Sequence, residues 1–214
     1  MLEWSGGNFR NFFAKYPEAN AMQQKMLRVS DELRARANGR RPAAHRALRQ
    51  ATDELYTGQC NCAYWHGVFG GLYLAHLRRA VYAHLIAAEG ILNRLTHEVG
   101  SITAQDADGD GQDELSLKTA SMHLLLDPAE GGALTEWDLY ASRINLLDTL
   151  SRRPEPYHAK LQAKPVRAAA AAGIPPSIHD VVGIKEPHLA SRLVYDDHRR
   201  SAFLDYALEG MPTL

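Results

Sequence analysis

A change of period constrains this chain more than any other feature. From Leu72 to Thr96 the apolar residues Leu74, Leu77, Val81, Leu85, Ala88, Leu92 and Leu95 recur every three or four positions, the stripe of one long amphipathic helix. From Glu98 that rhythm is gone. The stretch "DGQDELSLKTASMHLLLDPAEGGALTEWDLYASRINLLDTLSRR" alternates polar and apolar residues in short runs broken by Asp-Gly, Pro and Gly-Gly, which is the pattern of strands and turns. It predicts strands near 113–118, 121–126, 132–140 and 144–147.

Two further helices precede the long one. Pro17 opens the first, with Met22, Met26, Val29 and Leu33 on one face, Gln, Lys, Arg and Asp on the other, and Asn38-Gly39 at its end. The second starts near Pro42, carries Ala44, Leu48, Ala51 and Leu55, and closes at Gly58. The expected fold is therefore α+β: a three-helix bundle over residues 1–97, then a partial, incomplete antiparallel β-sandwich over 98–214. Residues 1–16, rich in aromatics and punctuated by glycine, read as an irregular lead-in. "AKPVRAAAAAGIPP" reads as a flexible or weakly helical connector, and the segment from Ser177 to Leu208 as only marginally structured.

Bulk chemistry excludes several classes. A formal net charge of −1 over 214 residues gives no field for nucleic acid, and the basic run "RARANGRRPAAHR" sits between helices as a solvated connection. No apolar run approaches the roughly 18 residues that cross a bilayer, and no signal-peptide pattern opens the chain. Cys60 and Cys62, one residue apart, are poorly placed to bridge one another, so a reducing cytoplasm is the expected compartment.

Those cysteines lie in "GQCNCAYWHGVFGG", Gly58–Gly71. Cys60, Cys62 and His66 are zinc-type donors, but a structural site needs four and no second knuckle exists in the sequence. Cys60 reads instead as a small buried residue. Asn61, Tyr64, Trp65 and His66 combine amide, hydroxyl and imidazole groups with a broad indole face. That suits a sugar ring, and equally an interhelical packing loop. Farther on, "DADGDGQDE" sets Asp106, Asp108 and Asp110 in D-x-D-x-D-G order with Glu114 beyond. This is either a Ca²⁺-stabilised turn or an ion-free polar turn, since Leu117 stands where an EF-hand loop has its bidentate Glu. Asp196, Asp197 and His198, being adjacent, do not make an acid–base site.

The segment "QCNCAYWHGVFGGLYLAHLRRAVYAHLIAAE" resembles the central helical domain of glycoside hydrolase family 57, in its branch of 4-α-glucanotransferases and α-amylases. "GGNFRNFFAKYPEANAMQQKMLRVS" is similar to the segment that follows that branch's catalytic barrel. "DADGDGQDELSL", "RINLLDTLSRRPEPYHAKL" and "SIHDVVGIKEPHLASRLVYDDHRRSAFLDYAL" are similar to the start of its C-terminal β-sandwich. The resemblance implies retaining enzymes on α-1,4-glucans whose nucleophile Glu and acid/base Asp sit on a preceding N-terminal barrel. It also implies that Asn61 to Gly67 line the substrate cleft, with Asn61, Cys62, Tyr64, Trp65 and His66 as the substrate-binding set. Some relatives have Asp where this chain has Cys62, which removes a charged acceptor. The expected partners are an α-1,4-glucan oligosaccharide and the missing barrel of the same polypeptide, with neither nucleic acid nor membrane. No catalytic residue and no cofactor other than a Ca²⁺ at the acidic turn is expected. The chain reads as a fragment, inactive alone. A stand-alone glucan-binding module and a protein-interaction module are the rival readings, the latter from Trp4, Phe9, Phe12 and Phe13 as an exposed patch for self-association.

Overall fold

Four α-helices and five strands follow one another in chain order: α1 Phe9–Lys15, α2 Pro17–Ala37, α3 Pro42–Gly58, α4 Ala75–Arg94, then β1 Gly100–Gln105, β2 Glu114–Thr119, β3 Met122–Asp127, β4 Ala133–Leu139 and β5 Ile144–Asn145. The computed structural model describes residues 9–37, 42–67, 69–96, 100–158 and 189–204. These residues divide into two compact units, one of 12–150 with 200–204 and one of 9–11 with 151–158 and 189–199. The α+β class and the three main helices are as expected.

The helix at Phe9–Lys15 corrects the expectation of an irregular lead-in. Phe12 and Tyr16 are four residues apart, stack with centroids 4.5 Å apart and are both buried, so packing imposes a helical turn that glycine and aromatic content conceal. Phe12 is thus not part of an exposed patch, and Phe13 packs on the same core; Phe9 is exposed and Trp4 lies outside the described residues. The core joins Met22 and Val29 of α2, Leu48 and Leu55 of α3, and Val81, Leu85 and Leu92 of α4. α3 and α4 approach closely where Gly58 meets Leu85: a Cβ on Gly58 would lie 2.7 Å from a Leu85 methyl carbon. Among the described residues no helix is long and apolar enough to cross a membrane.

The strands form one antiparallel sheet in the order β1-β2-β3-β4-β5. β1 was not expected. "GSITAQ" has a single large apolar residue, and as an edge strand paired only with β2 it needs no alternation. The last strand stops at Asn145, short of 147, because the Asn145 Oδ1 accepts the Leu147 N–H at 2.8 Å and turns the chain. The alanine-rich connector lies outside the described residues. Of the segment after it, Leu189–Arg192 is a 3₁₀ turn, and Ala202 pairs with Leu134 of β4. In the smaller unit Arg152 pairs with Asp196 at 2.5 Å, and His158 stacks on Tyr195. Asp196 is thereby held in an ion pair.

The sheet packs its charged face inward. Glu114 and Ser116 of β2, His123 and Leu125 of β3, and Glu136 and Asp138 of β4 are buried, whereas Leu115, Leu117, Leu124, Leu126, Trp137 and Leu139 on the alternate positions are partly or fully exposed. Lys25 of α2 reaches that charged face. It was expected on the polar side of its helix, yet it is fully buried, with its Nζ 2.9 Å from Glu89, 2.8 Å from Glu136 and 2.5 Å from Asp138. Its three N–H donors thus meet three carboxylates. Around this centre Lys118 bridges Glu89 and Glu32, Arg28 reaches Glu136, and His123 sits between Ser116 and Glu89.

Burial pulls the Lys25 pKa down, but Asp138, Glu136 and Glu89 together outweigh it and leave it well above the usual lysine value. Burial pushes Glu136 up, and Lys25 and Arg28 outweigh it, holding its pKa at about 2. Glu89 also lies below the usual range: burial acts upward on it, and His123, Lys118 and Lys25 prevail. For Asp138, burial and the neighbouring carboxylates prevail and raise its pKa despite Lys25.

Two predictions follow from the depressed Glu136 and the buried ammonium. The stabilisation from Glu136 is complete above its ordinary pKa of 4.5 and is lost as pH falls toward about 2, so acid unfolding followed by circular dichroism steepens in that window and flattens in Glu136→Gln. Lys25→Met removes the ammonium shared by three buried carboxylates, leaving Asp138 without an ion-pair partner among the described residues, and lowers stability by about 3–5 kcal/mol in urea titration.

Candidate functional site

The turn between α3 and α4 is built from a 3₁₀ helix at Asn61–Tyr64, an extended Trp65, and a second 3₁₀ turn at Gly71–Tyr73. Its closure depends on one residue. Gly71 has φ +46°, and a Cβ there would lie 2.1 Å from the Trp65 carbonyl oxygen and 2.4 Å from that of His66. Across this contact the Leu72 N–H donates to the Trp65 carbonyl at 2.8 Å. The Tyr64 hydroxyl donates to the Gly58 carbonyl at 2.7 Å and ties the turn to the end of α3; burial, and secondarily Cys60, raise its pKa. Arg78, buried in the first turn of α4, donates to the Leu72 carbonyl at 2.6 Å and to Asp148 at 2.7 Å.

His66 is held by rings. Its imidazole stacks on Tyr73 at 5.2 Å and meets Phe12 and Tyr16 edge-to-face at 5.1 and 5.0 Å. Trp65 packs on the edge of the core and remains partly exposed, as do Tyr64 and His66. Asn61 and Cys62 are exposed. So is Cys60, contrary to the expectation of a small buried residue: it sits at the solvent side of the turn, where the Tyr64 ring takes the inward position. The turn therefore presents exposed polar groups beside a partly exposed indole and an imidazole of fixed orientation.

The acidic turn brings Asp106, Asp108 and Glu114 together, with one carboxylate oxygen from each lying within 4.8 Å of the others. Asp110 is outside that group, its Oδ1 accepting the Gln112 N–H. Asp106 accepts the N–H groups of Gly109, Asp110 and Gly111, and Glu114 accepts that of Ala107 at 2.6 Å. α2 anchors the turn through Asn20, which donates to the Asp108 carbonyl, and Arg28, which donates to that of Ala107. Burial raises the Glu114 pKa, offset in part by the Ala107 N–H.

Sequence reasoning missed the group Glu89, His123 and Asp138, whose donor atoms also lie within 4.8 Å of one another. Lys25 Nζ already sits against Glu89 Oε2 and Asp138 Oδ2, so an ammonium takes the place a metal ion would need. The signal for it is a lysine at the helical position between Met22 and Val29, but nothing in one sequence says that Lys25 faces Glu136 and Asp138.

Gly71→Ala is expected to cost about 1–3 kcal/mol from backbone strain alone. It should shift the Trp65 and His66 NMR signals while the helical circular dichroism persists.

Comparison with known proteins identifies the family of the chain. Residues 7–92 match the model for the middle domain of alpha-amylase/4-alpha-glucanotransferase, and residues 106–214 match the model for its C-terminal region. The chain is 41% identical over 209 residues to alpha-amylase 1 of Dictyoglomus thermophilum, an alignment that covers 98% of this chain and 28% of that protein. It is 37% identical over 209 residues to the 4-alpha-glucanotransferase of Thermococcus kodakarensis, covering 98% of this chain and 29% of that one. The crystal structure of the 4-alpha-glucanotransferase from Thermococcus litoralis superposes with a TM-score of 0.68 at 31% identity, over 91% of this chain and 26% of the other. The chain thus spans between a quarter and a third of the length of these relatives. It belongs to the alpha-amylase/4-alpha-glucanotransferase branch of glycoside hydrolase family 57, of which it carries middle and C-terminal regions.

Proposed function

We propose that this chain supplies the substrate-positioning wall of an α-1,4-glucan-processing enzyme and does not itself carry out turnover. The observation that carries this reading is the braced Asn61–His66 turn. The His66 imidazole is fixed by rings, the Trp65 indole packs on the edge of the core, and Gly71 closes the backbone beneath both, beside the exposed Asn61 and Cys62, in a chain whose relatives are named alpha-amylase and 4-alpha-glucanotransferase. A partly exposed Trp65 offers a face for the C–H side of a glucose ring and the exposed Asn61 offers hydrogen bonds to hydroxyls, so binding energy goes into orientation, while His66, its Nε2 shut away from solvent, holds the turn between them. Cys62 supplies no charged acceptor.

The carboxylates support the non-catalytic half of the reading. Retaining glycoside hydrolysis needs two carboxyl groups about 5–5.5 Å apart on either side of one bond. Glu89, Glu136 and Asp138 are buried around Lys25, and Asp106 and Glu114 are engaged with backbone N–H groups of their own turn. In this reading the nucleophile and acid/base come from a catalytic barrel of the same polypeptide. The outward leucine face of the sheet is where the second layer of a β-sandwich closes, and the two exposed thiols belong to a reducing cytoplasm. The Asp106–Glu114 turn takes a Ca²⁺, with Asp106, Asp108 and Glu114 as its carboxylate ligands.

Incubation of the purified chain with maltotriose or amylose is expected to yield neither hydrolysis nor transfer, and product above background overturns the reading. Maltotriose is expected to quench Trp fluorescence, with the response lost in Trp65→Ala. Addition of Ca²⁺ should raise the melting temperature in the parent chain and leave Glu114→Gln unchanged.

A further inference from the structure

A depression of about 180 Å³ lies between α4 and the β5 turn, lined by Arg79, Tyr82, Ile144, Asn145, Leu146 and Asp148. It is too small for a drug-sized ligand, for which pockets run to about 300 Å³ or more, and is of the order of a single pyranose ring. Its polar groups come from residues that the fold already holds still. Tyr82 and Asn145 are buried, and Asp148 is pinned through Oδ1 by Arg78 at 2.7 Å. The Asn145 Oδ1 is used by the N–H groups of Trp137 and Leu147.

Each of these residues keeps a spare group. Among the described residues the Tyr82 hydroxyl, the Asn145 Nδ2 and the Asp148 Oδ2 make no hydrogen bond. The residues that line the depression therefore carry a hydroxyl, an amide donor and a carboxylate acceptor not used by the fold. Arg79, exposed and without an ion pair among the described residues, stands at the rim, and Ile144 and Leu146 add apolar surface. Donors and acceptors of both kinds beside an aliphatic patch match a ring with hydroxyls at its edge and C–H groups on its face. The second Asp148 oxygen, free to accept, sets carboxylate charge against any anion seated beside it, so an uncharged polyol is favoured over an anion.

We propose that this depression binds one terminal hexose unit of a neutral α-glucan, a site separate in sequence from the Asn61–His66 turn. The choice of α-glucan among sugars rests on the proposed function; the neutral hexose class rests on the lining residues.

The test is a titration of the purified chain with maltose, reading the Asn145 side-chain amide and the Leu146 methyl signals by NMR, with glucose 1-phosphate as the charged comparison. Maltose is expected to shift both signals saturably. Tyr82→Phe, which removes a hydroxyl with no protein partner, should weaken the site by about 2–12-fold, the range of one hydrogen bond. Arg79→Ala should weaken it in the same direction, and Trp65→Ala should leave it intact. Absence of a saturable shift at Asn145 and Leu146 overturns the proposal, as does a shift indifferent to both variants. Tighter, salt-sensitive binding of glucose 1-phosphate overturns the neutral class. Trp65 responding to maltose while Asn145 and Leu146 stay still sinks this site and leaves the proposed function standing; the reverse pattern does the opposite.

Discussion

The ammonium of Lys25 is the point on which the two layers of the larger unit depend. It extends from α2 into a space walled by Glu89 of α4 and by Glu136 and Asp138 of β4, and no part of it reaches water. Burying charge costs several kcal/mol per ion before any pairing, so such a centre persists only where geometry and supplementary hydrogen bonds are good. Here Lys118, Arg28 and His123 complete the carboxylates' coordination. A charged centre also specifies more than an apolar one. Glu136 and Asp138 are two residues apart on one strand, so a one-residue slip of β4 would turn both away and set Trp137 against the ammonium.

That choice of inward face decides the character of the other. Across the sheet, Ile102, Leu117, Leu124 and Trp137 are successive register partners, forming an apolar row that the helices do not cover. An ordinary half-buried sheet puts its leucines inward and its charges in water. This one reverses the order, because its charged side meets a buried cation and its leucine side stays partly exposed. The same reasoning separates the two halves of the chain: helix against helix is an apolar contact of Met22, Leu55 and Leu85, and helix against sheet is an ionic one.

Much of the architecture was legible because it follows from period. The 3–4 spacing of Leu74 to Leu95 marks α4, and alternation marks β2 to β4 to within one or two residues. Period does not tell which face of a strand turns inward, so Lys25, Glu89, Glu136 and Asp138 were invisible as a group. β1 was missed because an edge strand needs no pattern, and α1 because two aromatics four residues apart are a weak signal until they are buried. At the candidate site, Trp65 and His66 could be named from residue type and family resemblance. The brace around them could not: Phe12 and Tyr16 lie some fifty residues away in sequence and reach His66 only through the fold.

The brace bears on what such a turn can do. A side chain that positions a substrate is useful only if its own rotamer is fixed more tightly than the geometry it must impose. His66 meets that condition through three rings, and the backbone beneath it through the contact that only glycine permits at position 71. Arg78 extends the constraint, since the guanidinium that holds the Leu72 carbonyl also holds Asp148. One buried cation therefore couples the end of the turn to the loop after β5, and a change in either is felt at the other through a single side chain. This rigidity is the property on which the proposed positioning role draws.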